Sequence, residues 1–277
     1  MVAGPSISFE FFPPKTPVAT DLLLSAAAEL SAFNPDFVTV TFGAGGSTRS
    51  GTYETAKLLK KRLGLIVGTH ISYFATLKPD LFAYADQLWD AGIRHLVVLR
   101  GDIPVGANPA VYDSTDYFQM TSDFVEGLLS RHSFDISIAA YPEKHPDAVS
   151  MAEDIRALKL KCGAGARRAI TQFFFDITTF SDFLTKTRAA GITTPIVPGL
   201  LPISDFAKIK GFAAKCGAHI PSDIENLFLS SSDPTATAID FLATQIDDLT
   251  NLNVPQLHFY TLNRADLILA AFRKLGK

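Results

Sequence analysis

One short stretch decides how the chain begins to fold: Ile7-Ser8-Phe9-Glu10-Phe11-Phe12-Pro13-Pro14-Lys15. Apolar residues alternate with Ser8 and Glu10, which is typical of a β-strand, and the prolines then end the run because proline cannot donate to a ladder. The strand therefore presents one carboxylate, that of Glu10, near its carboxyl end. An acid among apolar neighbours is costly to ionise, so we expect Glu10 either to pair with a Lys or Arg or to stay protonated for chemistry.

The composition predicts a folded, soluble protein. Of 277 residues, 47% are hydrophobic and 19% are charged, so a large core is possible and disorder is not indicated. The net charge of −3 gives no support for nucleic-acid binding, which needs a basic surface. Cys162 and Cys216 lack CxxC spacing and are expected to be free thiols. Neither a signal peptide nor an apolar run of membrane-spanning length is evident, so we expect a cytoplasmic protein without a membrane partner.

Apolar, β-branched runs alternate with helical patterns along the chain. The predicted strands cover residues 7–12, 37–42, 65–72, 95–99, 135–141, 169–175, 195–201 and 256–260. The predicted helices cover residues 21–33, 53–63, 78–91, 122–131, 148–162, 180–190, 205–216, 235–251 and 265–275, with a further short helix after residue 220. This alternation predicts a parallel α/β sheet.

The number of strands favours one architecture. Eight strands in about 250 residues are typical of a closed (β/α)8 barrel of the TIM type rather than an open doubly wound sheet. No Gly-x-Gly-x-x-Gly follows the first strand, which disfavours a Rossmann fold. We therefore predict a single barrel domain over residues 1–277, with an extra helix or two before the last strand.

Polar residues follow nearly every predicted strand, where a barrel of this type binds its ligands. They are Glu10, Thr41, His70, Arg100, Asp102, Tyr141, His145, Gln172, Tyr260 and Arg264. The second strand also leads into a glycine-rich loop, residues 41–49, that would let backbone N–H groups approach a ligand. On the fifth predicted helix, Asp154 and Lys161 are spaced to share one face.

Several of these residues have an ordinary structural explanation as well. Arg100 and Asp102 could form a local salt bridge, a single His at a strand end is often structural, and Asp154 and Lys161 could lie on a solvated face. The functional interpretation is more specific for Gln172, whose amide can both donate and accept, as a pterin or carboxamide edge requires. Tyr260 and Arg264 suit a substrate that carries a carboxylate.

Two common catalytic designs are disfavoured. The six histidines never occur as His-x-x-x-His and the acids are dispersed, so no metal site is predicted. A nucleophilic serine is not favoured, because no Gly-x-Ser-x-Gly elbow occurs. A mouth rich in aromatic, amide, acid, imidazole and guanidinium groups suits a large planar heterocycle. The residues alone thus predict a small-molecule enzyme with an aromatic cofactor or substrate.

Motifs spread in order over nearly the whole chain resemble the methylenetetrahydrofolate reductase family, the flavoproteins of one-carbon metabolism. They are Phe9-Glu10-Phe11-Phe12-Pro13-Pro14-Lys15, Leu99-Arg100-Gly101-Asp102, Tyr141-Pro142-Glu143-Lys144-His145-Pro146 and residues 41–49, 169–176, 198–203 and 258–264. The resemblance implies an α/β barrel with FAD at its mouth, NADH or NADPH as electron donor, and a homodimer or homotetramer. It is strongest to the bacterial, catalytic-domain-only form, since the chain ends soon after the last motif.

The resemblance also implies a reaction and roles for individual residues. FAD would carry a hydride from NAD(P)H to 5,10-methylenetetrahydrofolate, giving 5-methyltetrahydrofolate, with one pocket serving both substrates in turn. Glu10 matches the general acid, which would stay protonated until used, and Asp102 matches a catalytic residue between flavin and pterin. The implied substrate-binding residues are Gln172, Phe212, Tyr260 and Arg264. The implied cofactor-binding residues are Thr41, His70, Arg100, Gly101, Asp102, Thr121, Tyr141, His145, Asp154 and Lys161.

Two departures from the family pattern lie toward the adenine half of FAD. A longer loop, residues 108–117, is followed by Met120-Thr121-Ser122-Asp123-Phe124, where the family usually has Tyr-Ala-x-Asp-Leu. On the fifth helix, Ala157 and Leu160 replace polar residues that often help to hold FAD. We therefore expect FAD to bind more loosely than usual, or its adenine to sit differently.

Three other functions remain open from the sequence. The same residues could run the chemistry in the oxidative direction, from methyltetrahydrofolate to methylenetetrahydrofolate. The chain could also be a flavin- or folate-binding subunit that needs a partner as electron donor, although Glu10, Gln172 and Phe212 argue against a silent binder. A flavin barrel like proline dehydrogenase is disfavoured because its arginine-rich substrate helix is missing. No basic cluster marks a 2′-phosphate site, which favours NADH over NADPH.

Overall fold

Strands and helices alternate along the computed structural model, which describes residues 4–42, 48–103, 106 and 108–276. The strands are β1 Ser6–Phe11, β2 Phe37–Val40, β3 Val67–Ser72, β4 His95–Leu99, β5 Asp135–Ala140, β6 Arg168–Thr171, β7 Ile196–Val197, β8 Gly199–Leu200 and β9 Gln256–Tyr260. The helices are α1 Pro17–Ser31, α2 Arg49–Leu63, α3 Lys78–Asp90, α4 Thr121–Arg131, α5 Met151–Gly163, α6 Ile177–Ala189, α7 Phe206–Cys216, α8 Ser222–Leu229, α9 Pro234–Asn251 and α10 Asp266–Lys274. A 3-10 helix, Pro109–Tyr112, precedes α4, and the predicted extra helices before the last strand are α8 and α9.

The strands form one parallel sheet in the order β7-β6-β5-β4-β3-β2-β1-β9-β8. Its two ends are neighbours in the chain, because β7 pairs with β6, β8 pairs with β9, and only Pro198 separates β7 from β8. The sheet therefore curls into a nearly closed barrel, which confirms the predicted TIM-type fold. The predicted strand 195–201 is interrupted because Pro198 has no N–H to donate, although its carbonyl accepts from His258 N at 3.0 Å.

Helices α1, α2 and α5 begin at Pro17, Arg49 and Met151 rather than at residues 21, 53 and 148. Each start is fixed by a hydroxyl that accepts a hydrogen bond from a backbone N–H of the first turn, from Thr16, Thr48 and Ser150 respectively. Such a cap contributes about 1 kcal/mol and outweighs the apolar periodicity from which the boundaries were predicted.

Strand β6 ends at Thr171, not at residue 175 as predicted. The aromatic side chains that follow it are buried in the core outside the ladder, where Phe174 stacks on Phe180 with ring centroids 5.2 Å apart. The apolar run in the sequence therefore extends beyond Thr171, the last residue of the strand, and this is why the predicted strand was too long.

The two faces of β1 serve different parts of the molecule. Phe9 and Phe11 are fully buried in the core between the barrel and its helices, where each contributes roughly 2–3 kcal/mol. Ser8 and Glu10 alternate with them and therefore face the inside of the barrel. Among the helices that the structure describes, none has the length and apolarity needed to cross a bilayer.

Candidate active site

A cavity of about 560 Å³ opens at the carboxyl ends of the strands. We call it the mouth cavity. Its lining includes Glu10, Thr41, His70, Gly101, Asp102, Tyr141, Gln172, Phe212 and Tyr260. These predicted residues lie in or just after seven strands and in α7, so the barrel gathers positions that are up to 250 residues apart, such as Glu10 and Tyr260 (260 − 10).

A second cavity of about 510 Å³ adjoins the first and is called here the side cavity. Gly101, Asp102 and Tyr141 line both cavities, so the two form one elongated site. The remaining predicted cofactor residues line the side cavity: Arg100, Thr121, His145, Asp154 and Lys161. The part of the predicted glycine-rich loop from 43 to 47 lies outside the described residues.

Glu10 is 7% exposed, and its partners are imidazoles rather than a Lys or Arg. Its Oε2 lies 3.0 Å from Nε2 of His70 and 3.7 Å from Nε2 of His258. Burial raises the pKa of the Glu10 carboxyl, but the two imidazoles outweigh burial and lower the pKa to about 2. The expectation that Glu10 stays protonated is therefore wrong for the ligand-free site, where the carboxylate is the favoured form.

Gly101 allows the backbone to turn between the two cavities. Its φ is +91°, and a Cβ at this position would lie 2.9 Å from the side chain of Ser72. The turn leaves Asp102 exposed at the junction of the cavities, where it can meet ligands in either one. The predicted position of Asp102 between two ring systems stays a prediction.

Gln172, Phe173 and Phe212 form one wall of the mouth cavity. The Gln172 Oε1 accepts a hydrogen bond from Phe173 N at 3.0 Å, which fixes the side-chain amide. The ring of Phe212 stacks on that of Phe173 at 5.4 Å and 23°, and Phe212 is 39% exposed. A half-exposed ring at the rim can stack on a planar ligand at small cost, and the role that the family resemblance implies for Phe212 stays a prediction.

Tyr260 and Arg264 differ from the expectation that both contact a substrate carboxylate. The Tyr260 ring lines the mouth cavity, but its hydroxyl donates to the carbonyl of Thr171 at 2.7 Å. Arg264 is absent from the lining of both cavities, and its Nε donates to Oδ1 of Asp266 at 3.0 Å on the surface. A substrate role for Arg264 would require this exposed pair to open, which costs less than about 1 kcal/mol.

The side cavity places a partly buried cation beside carboxylate and imidazole groups. The Lys161 ammonium donates to the carbonyl of Ala139 at 2.6 Å, and burial lowers its pKa. Asp154 accepts from His145 N at 2.8 Å. The Asp147 N–H donates to Nδ1 of His145 at 3.0 Å, which leaves Nε2 as the protonated nitrogen of the neutral ring.

The loop that carries Tyr141 and His145 is held by Lys144, to which sequence reasoning gave no role. Lys144 has a φ of +92°, an unfavourable backbone conformation for a residue with a side chain. Its ammonium donates to the carbonyls of His145 at 3.1 Å, Pro146 at 3.4 Å and Ala148. These charge-assisted bonds offset the strain and fix the loop. In the sequence, Pro142 and Pro146 on either side of Lys144 were the feature that could have indicated a fixed loop held by this residue.

The outer part of the side cavity contains residues at which the sequence departs from the family pattern. Met120 and Ala157 line it, together with Val149, which is 94% exposed. Leu160 is 46% exposed and does not line it, so of the two changes on the fifth helix only that at Ala157 faces the cavity. The outer end thus offers apolar contacts where the family pattern places polar ones.

The two joined cavities fit FAD. Apolar walls suit an isoalloxazine ring, the buried Thr41 Oγ1 has no hydrogen-bond partner and faces the mouth cavity, and Lys161 and Arg100 supply positive charge for a diphosphate. Within the part of the chain that the structure describes, His, Cys, Asp and Glu side chains form no group that could hold a metal ion.

Known proteins with similar sequences share one enzyme name. The chain matches the family model of methylenetetrahydrofolate reductase over residues 3–276. It is 39% identical over 276 residues to the 5,10-methylenetetrahydrofolate reductase of Escherichia coli (strain K12), covering 98% of this chain and 90% of that protein. It is also 32% identical to a probable methylenetetrahydrofolate reductase (NADH) of Oryza sativa subsp. japonica, covering 97% of this chain and 48% of the rice protein.

Among solved structures, a similar fold occurs in a Clostridium thermocellum protein described as binding two copies of 5-methyl-5,6,7,8-tetrahydrofolic acid. The TM-score is 0.69 at 15% identity, and the match covers 99% of this chain and 96% of the other. A 2,3-dimethylmalate lyase of the PEP mutase/isocitrate lyase superfamily matches with a TM-score of 0.55 at 9% identity. At such low identity these matches establish the barrel fold alone.

Proposed function

The chain belongs to the methylenetetrahydrofolate reductase family, a family of oxidoreductases, and we propose that it reduces 5,10-methylenetetrahydrofolate to 5-methyltetrahydrofolate with FAD as cofactor and NADH as electron donor. The observation that carries this proposal is that Glu10, Asp102, Gln172 and Phe212 line one cavity at the barrel mouth. The name of the rice relative, which specifies NADH, supports that donor.

The residues of the side cavity would hold FAD. Arg100 and Lys161 offer charge to its diphosphate and ribityl region, and the backbone turn at Gly101 allows close approach. Bound FAD would supply the hydride carrier between the two substrates. Because Asp102 lines both cavities, it would contact the flavin and the pterin together.

The mouth cavity would bind nicotinamide and pterin rings in turn. Gln172 can hydrogen-bond either ring, since its amide both donates and accepts. Phe212 would stack on the exposed face of whichever ring is present and exclude water from it. The Tyr260 ring would complete the wall, while its hydroxyl remains bonded to Thr171.

Glu10 would supply the proton that the folate reaction needs. The five-membered ring of the substrate opens to an iminium only if its leaving nitrogen is protonated. Glu10 is ionised in the ligand-free site, so it must take up a proton before it can donate one. His70, with Nε2 at 3.0 Å from Glu10 Oε2, is the nearest group that can transfer a proton to it.

An anaerobic spectrum tests both halves of the reaction. We expect the purified protein to show flavin bands that bleach when NADH is added and return when methylenetetrahydrofolate follows. Glu10→Gln should still bleach with NADH but recover at least 100-fold more slowly with the folate, because only the second half needs the acid. A colourless protein that stays inactive with added FAD would refute the proposal. Bands that bleach only with methyltetrahydrofolate would indicate the oxidative direction.

A further inference from the structure

A buried serine and histidine lie directly beneath Glu10 in the barrel. β1 and β9 pair in parallel with Ser8 opposite His258 and Glu10 opposite Tyr260. Side chains alternate between the two faces of a strand, so Ser8, Glu10 and His258 all point into the barrel. Ser8 and His258 are both 0% exposed, and His258 does not line the mouth cavity.

The contacts of Ser8 set the tautomer of His258. Ser8 Oγ lies 2.8 Å from Nδ1 of His258, whereas the carbonyl of Leu257, its other available acceptor, is 3.5 Å away. The hydroxyl is therefore better placed to donate to Nδ1, which leaves the proton of the neutral ring on Nε2. That nitrogen faces Glu10 Oε2 at 3.7 Å, and a carboxylate favours an N–H over a lone pair in this position.

Both imidazoles approach the same oxygen of Glu10, from opposite sides of β1 in the sheet. His70 on β3 lies at the cavity surface, whereas His258 on β9 approaches from within the barrel. Among the described residues, Tyr260 on β9 is a further titratable group against Glu10, and the β2 side contributes neutral threonines, Thr39 paired with Glu10 and Thr41 just after the strand. The position and ionisation of Glu10 therefore depend on these two histidines.

We propose that His258, held by Ser8, is a positioning residue that aims the Glu10 carboxyl into the mouth cavity and determines when it carries a proton. This inference rests on the proposed function, in which Glu10 protonates the folate. His70 can be reached by ligands, and its contact with Glu10 can change as substrates enter and leave. His258 is fully buried and does not line the cavity, so ligands cannot reach it and its contact with Glu10 should stay the same when substrates bind.

Removal of the second imidazole should move the proton equilibrium of Glu10 in a known direction. An N–H directed at a carboxylate stabilises the ionised form, so its loss favours protonation at higher pH. In His258→Leu the folate half-reaction should keep its rate to a higher pH, by about one unit or more. Ser8→Ala should act in the same direction with a smaller shift, because the unheld ring can turn a lone pair toward Glu10. Reduction of the flavin by NADH should be unchanged in both variants, since it needs no acid.

Two further variants separate this role from a general effect on the fold. His258→Gln restores an N–H donor without a titratable ring, and we expect it to return the pH profile most of the way to that of the wild type. Ser137→Ala removes another buried serine inside the barrel, one that bonds Arg168 at 3.0 Å, and should leave the profile unchanged. If His258→Leu does not fold, Ser8→Ala, which loses a single oxygen, still decides the question.

Carbon-13 NMR of the Glu10 carboxyl in the ligand-free protein gives a readout independent of turnover. With labelled glutamate and assignment by Glu10→Gln, the wild-type signal should stay at its carboxylate position throughout the pH range in which the fold survives. In His258→Leu and Ser8→Ala it should titrate within that range. Identical titrations in wild type and both variants would overturn the inference. An absence of folate turnover in the wild type would instead refute the proposed function, and the NMR result would still stand.

Discussion

The Tyr260 hydroxyl donates a hydrogen bond to the carbonyl of Thr171, and the Tyr260 ring lies directly over Gly199, the first residue of β8. The N–H of Gly199 in turn donates to the hydroxyl of Thr171 at 2.9 Å. A Cβ at position 199 would lie 2.3 Å from the Thr171 carbonyl oxygen and 2.6 Å from the Tyr260 ring. Glycine is therefore required here because β6, β8 and β9 meet without room for a side chain.

We expect Gly199→Ala to destabilise the fold by about 3 kcal/mol, because the new methyl group collides with backbone that cannot move freely. Urea unfolding monitored by circular dichroism measures this change. Gly211→Ala is the matched control, since a Cβ there meets nothing within 4 Å and the site is within helix α7. It should stabilise the protein by up to about 1 kcal/mol. Equal effects of the two substitutions would contradict the steric argument.

The ionisation of Glu10 gives a second prediction, on stability against pH. Its pKa is about 2 in the fold against 4.5 as the ordinary value, so the ionised group stabilises the fold above pH 4.5. This stabilisation, up to about 3 kcal/mol, is lost as the pH falls from 4.5 toward 2. The difference in unfolding free energy between wild type and Glu10→Gln should shrink over that window.

Glu143 serves as the control for the sign of this effect. Burial raises the pKa of Glu143, although its Oε2 accepts a hydrogen bond from His219 N at 2.7 Å. A raised pKa means that ionisation disfavours the fold, so the difference between wild type and Glu143→Gln should change in the opposite direction as the pH falls. A wild-type-to-Glu10→Gln difference that does not vary with pH would show that the histidines do not hold the carboxylate.

The Glu10 result shows what a single sequence can and cannot predict. Alternation along β1 correctly placed Glu10 at a strand end inside a barrel. Its apolar neighbours Phe9 and Phe11, however, face the helix layer and do not surround the carboxyl. The groups that do surround it, His70 and His258, come from strands β3 and β9, and only the closure of the barrel brings them together.

The same distinction applies to the rest of the fold and site. The order of strands and helices followed from periodicity, and the location of most site residues followed from their position at strand ends. Local hydrogen bonds moved the helix starts, as at Thr16, and the missing N–H of Pro198 split one strand. The surface pairing of Arg264 with Asp266 depends on side-chain conformation, which no sequence pattern encodes.

Lys144 gives a third prediction, on cofactor affinity. Lys144→Met removes the ammonium that bonds the loop carbonyls and leaves the backbone strain at φ +92° without compensation. The loop with Tyr141 and His145 should then lose its fixed form, and FAD should bind roughly 10-fold more weakly, equivalent to about 1.4 kcal/mol. Titration of the protein with FAD, followed by quenching of flavin fluorescence, measures the affinity.

A lysine in a similar setting provides the control for Lys144. The Lys60 ammonium bonds the carbonyls of Ala91, at 3.3 Å, and Gly92, outside both cavities. Lys60→Met should therefore leave FAD affinity unchanged. If both variants bind FAD as the wild type does, the loop keeps its form without Lys144, and the assigned positioning role is incorrect.

The fourth prediction concerns Arg100, which is already paired in the ligand-free site. Its Nη2 lies 2.7 Å from Oδ2 of Asp147, with the side chains 37% and 59% exposed. The hydrogen bond from Arg100 lowers the pKa of Asp147, so the carboxylate is charged at neutral pH. In the proposed function, that charge would compete with the diphosphate of FAD for Arg100 and would add to the looser binding predicted from the residues at the adenine end. Asp147→Asn removes the competitor, and since an exposed pair contributes less than about 1 kcal/mol, the fold should lose little stability. We expect FAD to bind roughly 3- to 10-fold more tightly, with the largest gain at low ionic strength because salt screens the competing charge.

Asp86→Asn makes the same charge change at a pair with Arg131 outside both cavities and should leave FAD affinity unaltered. Weaker binding in Asp147→Asn would mean that Asp147 holds Arg100 in the orientation that FAD requires.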